Sequence, residues 1–427
     1  ILAADENMDA TEISQYIIMG ELSFDGSLRP LKGILPMAIM ARKKGFKGIV
    51  IPKANASEAA IVNQLEVIPV VHLSEAVAFF KGTQTIKPLK RNTRLIFQGN
   101  QEIYPTDFID IKGYENEKRA LEVAAAGGHN TILVGPPGSG KTMLAQRFSS
   151  ILPPLSLDEA LQTTKIHSVA GKLHSNSSLI AHRPFRAIHH SSSDIKLVVG
   201  DSNSIGEPSL AHNGVLFLEE LPEFKSAGLQ LLYQSFINRQ TSISTEGTLV
   251  TYPAHFFLLA SSNPCICGYS THPFRKNECN CSSESIQKYF ASIPDTFMDA
   301  FDIHVEVRPM LLEDVSLLES GETSASIRER VVMARARQIV RFTEYPDIKS
   351  NSMIPKDIVR DICKVDKQGL MLLKIAMRKL NLSVHAFNHI LKVARTIADL
   401  CNKENILPEH VAEAIQYRSL DRENWGA

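Results

Sequence analysis

An α/β fold with a helical C-terminal region is predicted by three features of the sequence. Apolar runs such as residues 49–52, 131–134 and 214–218 have the length and composition of buried strands. A glycine-rich loop at residues 135–142 joins one of these runs to a helical pattern. After residue 326 the apolar residues follow helical spacing, which predicts a separate helical domain.

Length and composition limit the class of protein. The chain has 427 residues, which at roughly 100–200 residues per domain predicts about two to four domains. Its 46 basic residues equal its 46 acidic ones, so bulk charge neither identifies nor excludes a polyanionic partner. We find no run of about 18 apolar residues and no signal-peptide pattern, so we expect a cytoplasmic protein without a membrane contact. Six cysteines in so long a chain do not indicate a disulfide scaffold.

The patterns along the chain predict four parts. These are a small α/β domain at 1–86, a polar and basic linker at 87–107, an α/β core at 108–312 and a helical domain at 313–427. In the first part we predict strands at 49–52 and 67–71 and a helix at 37–44 that Gly45 ends. In the last part we predict helices at 327–342, 354–364, 370–379, 384–400 and 408–418.

The glycine-rich loop has the full pattern of a nucleotide-phosphate cradle between a strand and a helix. Its residues are Gly135, Pro136, Pro137, Gly138, Ser139, Gly140, Lys141 and Thr142. Glycines allow backbone N–H groups to approach phosphates, and the helix N-terminus that follows favours negative charge. Lys141 is predicted to reach the β- and γ-phosphates of ATP, and the Thr142 hydroxyl to bind Mg²⁺.

Two further strands end in polar side chains that suit this chemistry. The strand at 214–218 ends in Glu219 and Glu220. We predict that Glu219 holds the Mg²⁺ and that Glu220 orients the attacking water. A strand at 256–260 leads to Asn263, which is predicted to contact the γ-phosphate or that water. An ordinary solvated strand end or a loop-capping asparagine is the alternative for each.

Four cysteines lie in two close pairs after this third strand: Cys265, Cys267, Cys279 and Cys281. Four thiolates in such pairs can bind Zn²⁺ tetrahedrally, which predicts a structural zinc site with His272 as a spare ligand. The spacing within each pair is shorter than in the commoner zinc motifs, and four reduced cysteines packed in a loop remain the alternative.

With these motifs in order, the chain resembles the magnesium-chelatase-like family of AAA+ ATPases, of the ComM (YifB) competence-protein type. The matching phrases are residues 20–26, 119–130, 184–190, 211–218, 263–269 and 393–400. The resemblance implies a three-layer αβα P-loop ATPase with a helical lid, preceded by part of a domain similar to the Lon protease C-terminal domain. It also implies hexameric rings and an ATP-driven motor on single-stranded or branched DNA. For DNA contact we predict the basic segments 42–44 and 87–94, and ordinary solvated surface charge is the alternative for each.

Three positions depart from the family pattern. The place of the arginine finger, which reaches a neighbour's γ-phosphate in such rings, is taken by Ala300. The sensor 2 arginine of the lid is replaced by His385, and the metal-binding Asp by Glu219. These changes suggest impaired hydrolysis, unless Arg275 or Arg308 compensates.

Four functions therefore compete: a DNA motor, a hydrolysis-poor nucleotide-binding scaffold, a chelatase-type motor and a protease. The protease is rejected, because the position that matches the Lon catalytic lysine is Leu35. DNA-stimulated ATP turnover separates the first two, and a chelatase motor would need a metal-insertion partner.

Overall fold

The structure, a computed structural model, describes residues 10–101, 104–173, 178–191, 200–201, 204–245, 248–272, 275–310, 320–380 and 382–421. The chain forms two compact units. Unit 1 combines the residues up to 103 with residues 154–182, and unit 2 combines residues 104–153 with those from 183 onward. In the part of the chain described, no helix is both long and apolar enough to cross a lipid bilayer.

The elements are numbered in chain order. The strands are β1 (Tyr16–Ile18), β2 (Glu21–Leu22), β3 (Leu28–Arg29), β4 (Gly48–Pro52), β5 (Glu66–Val70), β6 (Thr131–Val134), β7 (Phe185–His189), β8 (Gly200–Asp201), β9 (Ser204–Ile205), β10 (Val215–Glu219), β11 (Gln240–Thr245), β12 (Thr248–Pro253), β13 (Phe257–Ser262) and β14 (Ile303–Glu306). The helices are α1 (Ala10–Ser14), α2 (Ile34–Lys43), α3 (Lys53–Ala59), α4 (Leu73–Phe80), α5 (Thr93–Asn100), α6 (Glu115–Gly127), α7 (Lys141–Ile151), α8 (Leu157–Val169), α9 (Glu207–Leu210), α10 (Ser226–Asn238), α11 (Ser283–Ala291), α12 (Asp295–Met298), α13 (Ser324–Arg341), α14 (Val359–Ile362), α15 (Lys367–Lys379), α16 (Val384–Leu400) and α17 (Pro408–Gln416).

Unit 1 is built on a parallel sheet with the strand order β1-β4-β5. The central strand β4 is buried along its whole length, as expected for a continuous apolar run in a parallel sheet. Helix α2 follows Gly33, and the chain leaves it through Gly45; both glycines have positive φ angles, of 76° and 79°. The predicted helix and both predicted strands are therefore confirmed, with ends shifted by a few residues.

Two segments of unit 1 differ from the predicted division of the chain. The predicted linker contains helix α5, whose Thr93 is buried and donates a hydrogen bond to the Ile61 carbonyl over 2.6 Å. Phe97 of the same helix joins the core of unit 1, so this stretch packs as a helix and is not a free linker. Helix α8, placed by the prediction in the α/β core at 108–312, also contributes Leu157, Ala160 and Leu161 to the core of unit 1.

Unit 2 contains a five-stranded sheet with the order β14-β6-β13-β10-β7. All four pairings are parallel, so the carboxyl ends of the strands meet at one edge. Strands β6, β10 and β13 are almost entirely buried, which explains their apolar sequences. The α/β fold predicted for this region is confirmed, and the polar residues that end these strands share one edge.

The helical region of unit 2 follows the prediction except at one helix. Helices α13, α15, α16 and α17 are confirmed, and α16 has the predicted ends. The helix predicted at 354–364 is reduced to α14, a single turn. Pro355 and the β-branched Ile358 and Val359 disfavour a longer helix there.

A buried carboxylate joins α16 to the sheet. Asp302, directly before β14, lies 2.9 Å from His129 Nδ1 and also contacts His389 Nδ1 on α16. Burial alone would raise the pKa of Asp302, but the hydrogen bonds and charges of the two imidazoles outweigh it and hold the pKa well below its usual range. His129 Nε2 is also 2.8 Å from Thr396 Oγ1 on α16, so one cluster ties the helix to the sheet.

Acidification is expected to destabilise unit 2, because histidines that include His255 and His304 fold in the neutral form. Burial lowers the pKa of His255 to about 4 and that of His304 well below its usual value. As the pH falls through about 6.5, the unfolded chain binds protons at both sites and the folded chain does not. For His255 the free energy of unfolding should fall by up to about 3 kcal/mol between about pH 6.5 and 4.

Urea denaturation at neutral and mildly acidic pH measures this loss of stability. The variant His255→Gln removes one titrating group, so its unfolding midpoint should depend less on pH than that of the wild type. A wild-type midpoint that stays constant over this pH range would contradict the prediction.

Candidate active site

The predicted phosphate loop connects β6 to α7 in unit 2, as the sequence pattern requires. Gly138 and Gly140 have φ angles of 77° and 89°, which favour glycine. A Cβ atom on Gly135 would lie 2.2 Å from the Val307 carbonyl oxygen, whereas one on Gly138 would meet no atom within 4 Å. The Val307 backbone therefore packs against one side of the loop, while the other side is open, as phosphate binding requires.

Lys141, the first residue of α7, is buried and directed back over the loop. Its Nζ donates hydrogen bonds to the carbonyl oxygens of Gly135 and Pro136 over 2.5 and 2.9 Å. It also donates to Asn263 Oδ1 over 3.2 Å, so two predicted site residues meet. Burial lowers the pKa of Lys141 to about 8, while the Glu220 charge acts in the opposite direction.

The two predicted magnesium ligands also lie side by side. Thr142 Oγ1 donates a hydrogen bond to Glu219 Oε1 over 3.2 Å, although the residues are far apart in sequence. A hydroxyl and a carboxylate oxygen in contact are ligands of the type that Mg²⁺ prefers. The donor set at this edge of the sheet therefore fits the predicted ion, and the longer Glu219 side chain does not prevent the pairing.

Glu220 has a left-handed backbone conformation, with φ of 57°, directly after β10. Such a conformation is costly for a non-glycine residue and is concentrated at functional sites. One carboxylate oxygen lies 3.0 Å from His190 Nδ1 and 4.0 Å from His189 Nε2 at the end of the neighbouring strand β7. The sequence motifs assign no role to this histidine pair, and only the pairing of β7 with β10 brings it close to Glu220.

Tyr114 is a second residue that the sequence did not identify. It directly precedes α6 with a φ angle of 57° and lies beside the phosphate loop. A Cβ atom on Gly140 would be 3.3 Å from the Tyr114 hydroxyl oxygen. No motif marks this tyrosine, because its proximity to the loop depends on the tertiary fold.

The four cysteines form a compact cluster beside the site. Their sulfur atoms all lie within 4.8 Å of one another, and Cys265 Sγ is 3.3 Å from Cys267 Sγ. Burial raises the pKa of the Cys265 thiol, but hydrogen bonds with Ser270 and Cys267 outweigh it and lower the pKa to about 6. Burial raises the pKa of the Cys267 thiol to about 12. His272, the predicted spare ligand, is not in this cluster; its Nδ1 accepts a hydrogen bond from the Arg275 backbone N–H over 3.1 Å.

The cysteine cluster and the phosphate loop are in contact. Gly268, between the two cysteine pairs, has a φ angle of 84°, and a Cβ atom there would lie 2.7 Å from Pro137 Cδ. Asn263 lies only two residues before Cys265 and contacts Lys141. The segment that carries the cluster therefore supports two parts of the site.

The two departures from the arginine pattern lie outside this set of contacts. Ala300 follows α12 and is half-buried, and its carbonyl accepts a hydrogen bond from Asn130 Nδ2 over 2.8 Å. His385 is exposed at the start of α16, and its Nδ1 lies 3.1 Å from Lys356 Nζ. A lysine therefore stands next to the residue at the sensor 2 position.

The two arginines named as the alternative source of compensation, Arg275 and Arg308, are placed differently. Arg275 forms an ion pair with Glu278 over 2.6 Å and stacks over the Tyr269 ring, 4.2 Å from its centroid. The Arg308 side chain is 74% exposed. Arg308 directly follows Val307, whose carbonyl oxygen lies against Gly135 of the phosphate loop. Of the two, Arg308 is the one nearer in sequence to a residue that touches the loop.

Family models match most of the chain. The model described as "Magnesium chelatase, subunit ChlI" matches residues 107–315, and the model of the ChlI C-terminal region matches residues 321–418. A third model, "Subunit ChlI of Mg-chelatase", matches residues 1–55.

Several curated proteins are similar over nearly the whole chain. YifB of Escherichia coli K12 is 37% identical over 426 residues, which are 99% of this chain and 81% of YifB. The competence protein ComM of Haemophilus influenzae Rd is 38% identical over 431 residues, again 99% of this chain and 81% of the relative. An uncharacterized protein of Mycobacterium tuberculosis H37Rv is 31% identical over 420 residues, 98% of this chain and 81% of that protein.

Proposed function

The chain belongs to the magnesium chelatase ChlI family of AAA+ P-loop proteins, and we propose that it is an ATP-dependent motor that acts on DNA. The observation that carries the ATPase part is the convergence of the predicted site residues at one edge of the unit 2 sheet. Lys141 contacts Asn263, and Thr142 contacts Glu219.

Each of these residues has a role in the proposed hydrolysis. The loop N–H groups and Lys141 would bind the phosphates of ATP, and Thr142 with Glu219 would hold the Mg²⁺ that offsets their charge. Glu220 would accept a proton from the attacking water. In AAA+ proteins a carboxylate at this strand end serves as that base. Asn263, held by Lys141, would position that water or the γ-phosphate.

The DNA part of the proposal rests on the similarity to ComM, which is described as a competence protein, and on the basic segments at 42–44 and 87–94. We further propose that the working form is a ring of identical chains, as the family resemblance implies. A chelatase-type motor is less well supported, because it would require a second subunit for metal insertion.

DNA is expected to stimulate ATP hydrolysis by the wild-type protein. Steady-state ATPase assays with and without branched or single-stranded DNA test this directly. The variant Glu220→Gln should still bind ATP but lose about 10²–10⁴-fold in turnover, because it keeps the shape of the site and removes the base. Equal rates with and without DNA, at protein concentrations where DNA is bound, would contradict the motor.

A hydrolysis-poor scaffold is the second candidate, and Ala300 and His385 favour it. In that case ATP would bind and assemble the protein without DNA-dependent turnover. The two candidates predict different rates of ATP hydrolysis but similar affinities for ATP, since arginines at these positions act mainly on the transition state.

We also propose that Cys265, Cys267, Cys279 and Cys281 bind one structural Zn²⁺. Four sulfurs held about 2.3 Å from one ion at tetrahedral angles lie about 3.8 Å apart. The observed sulfur separations include 3.3 and 3.9 Å, so shifts of about half an ångström in the side chains would bring these sulfurs to that geometry. Because four thiolates complete the coordination shell, the ion would stabilise the loop and not act on substrate.

Purified protein is expected to contain about one zinc per chain, measured by elemental analysis. The variant Cys279→Ser should lose the metal and weaken ATP binding, because the cluster contacts the phosphate loop through Gly268. Cys401→Ser, at an exposed cysteine outside the cluster, is the matched control and should keep both. Metal-free wild-type protein with all four thiols freely titratable would contradict the site.

A further inference from the structure

We propose that unit 1 carries a binding site for single-stranded DNA in a basic pocket between α2, α5 and α8. The inference rests on the proposed function, since it names the surface that would contact DNA. The pocket has a volume of about 330 Å³. Its cationic residues are Arg42, Lys43, Arg94 and Lys165, and Ile39 and Leu161 are among the apolar residues of its floor.

Three separate parts of the sequence supply these cations. Arg42 and Lys43 lie in the last turn of α2, and Arg94 lies in the first turn of α5. On α8, Leu161 and Lys165 are four residues apart and therefore share one face of the helix. The fold thus brings together the two basic segments that the sequence suggested for DNA contact and adds Lys165, which no sequence run identified.

The positive charge of the basic pocket is not neutralised by acidic side chains that line it. No Asp or Glu is among the residues that line it. In the described part of the chain, none of the four cations forms an ion pair, whereas many other arginines of this protein do. Four uncompensated cations around one concavity create a positive potential that attracts an anion with several charges.

The shape of the basic pocket favours a single strand over a duplex. A cavity of about 330 Å³ holds a group of roughly the size of one nucleotide and cannot enclose a double helix. The apolar floor suits the face of an unpaired base or its sugar, while the cations at the rim suit the phosphates on either side. No aromatic residue lines the pocket, so stacking is limited and we expect little preference for sequence.

Charge-matched variants of the whole protein test the site. The pocket variant is Lys43→Gln with Arg94→Gln and Lys165→Gln. The control variant is Arg29→Gln with Lys53→Gln and Lys172→Gln, which removes the same charge from exposed positions outside the pocket and outside the two basic segments. Fluorescence anisotropy with a labelled oligothymidylate gives the affinity at several salt concentrations, and thermal unfolding confirms that both variants fold.

The pocket variant is expected to bind the oligothymidylate about ten- to a hundredfold more weakly than wild type, and the control variant within about threefold of it. The slope of log affinity against log salt should fall by about 2 in the pocket variant, since three phosphate contacts are lost. Affinity for a blunt duplex should change much less than affinity for the single strand.

Three results would overturn the inference. Equal losses of DNA affinity in the pocket and control variants would show that only net charge matters. A loss of affinity for the duplex as large as that for the single strand would show that the apolar floor has no role in binding. Competition by poly-glutamate as effective as by DNA would indicate an acidic protein as the partner. Wild-type protein that binds no single-stranded DNA at low salt would instead refute the proposed DNA function. Failure of the proposed function can therefore be distinguished from failure of the pocket as its DNA-binding site.

Discussion

Replacement of Lys141 by alanine is expected to abolish ATP binding and, with it, hydrolysis. Lys141 is buried against the loop, and its Nζ reaches two loop carbonyls and Asn263, so it stands where phosphate oxygens would be held. Each charge-assisted hydrogen bond to a phosphate contributes about 1.5–3 kcal/mol. Loss of contacts to two phosphates should therefore weaken binding by at least about a hundredfold.

Titration of the protein with a fluorescent ATP analogue measures this loss. Lys374→Ala, at an exposed lysine on α15, is the control and should bind as wild type does. Because the pKa of Lys141 is lowered to about 8, wild-type affinity should also decline as the pH rises above that value in the free protein. A Lys141→Ala variant with unchanged affinity would show that the loop does not hold the nucleotide.

The parts of the site that the sequence predicted are those whose chemistry is local. The phosphate loop needs a strand, left-handed glycines and a helix start within a dozen residues, and all three can be read from the chain. The contact between Thr142 and Glu219 spans many residues, yet it was also predictable. Both residues follow or end parallel strands, and parallel strands present their carboxyl ends at one edge.

The parts that could not be predicted depend on packing between distant segments. Helix α8 belongs to the core of unit 1 although it follows the phosphate loop in sequence, and no pattern in its own residues shows this. The proximity of His190 to Glu220 depends on β7 pairing with β10 and not with another strand. Asp302 likewise becomes part of a buried cluster only because α16 brings His389 into contact with it.

The proposals on zinc and on DNA use information of both kinds. The cysteine spacing suggested zinc, but only the fold shows that Gly268 connects the cluster to Pro137. The basic segments suggested DNA, but only the fold shows that part of each faces the same pocket as Lys165. In each case the residue types indicated the chemistry, and the tertiary structure showed which distant residues take part in it.

Hydrolysis by the wild-type protein is expected to be slow and to be accelerated by Ala300→Arg. In an AAA+ ring each active site receives a cation from the neighbouring chain, where negative charge develops on the γ-phosphate oxygens. In this sequence that position is Ala300, which carries no charge, so in the proposed mechanism the positive charge at the site would come from Lys141 and from the Mg²⁺ that Thr142 and Glu219 would hold. His385 would add little, because an unperturbed imidazole is mostly neutral at pH 7.

Ala300 is half-buried at the edge of a hydrophobic cluster of unit 2. Its backbone is held by Asn130 Nδ2, which donates a hydrogen bond to the Ala300 carbonyl. Arginine fingers contribute about 10³–10⁵ in kcat, so even an imperfectly placed one should raise kcat well beyond tenfold with a smaller effect on KM.

Ala300→Gln is the matched control, because it adds length and hydrogen-bonding capacity without charge and should leave kcat near the wild-type value. Steady-state ATPase assays compare the two variants with wild type under conditions where the ring assembles, since the cation acts on the neighbouring chain. Wild-type turnover as fast as that of related ATPases, with no gain from Ala300→Arg, would show that another cation such as Arg308 or Lys356 already serves this role.

Mixed rings test whether the introduced arginine acts on the neighbouring chain. The double variant Lys141→Ala with Ala300→Arg cannot hydrolyse ATP itself, but it can present its arginine to the site of a wild-type neighbour. Adding this double variant to wild-type chains should therefore raise turnover per wild-type chain, whereas adding the single variant Lys141→Ala should not. Equal turnover in the two mixtures would show that the arginine acts, if at all, within its own chain, because only an effect across the interface can reach an intact site from a chain that lacks Lys141.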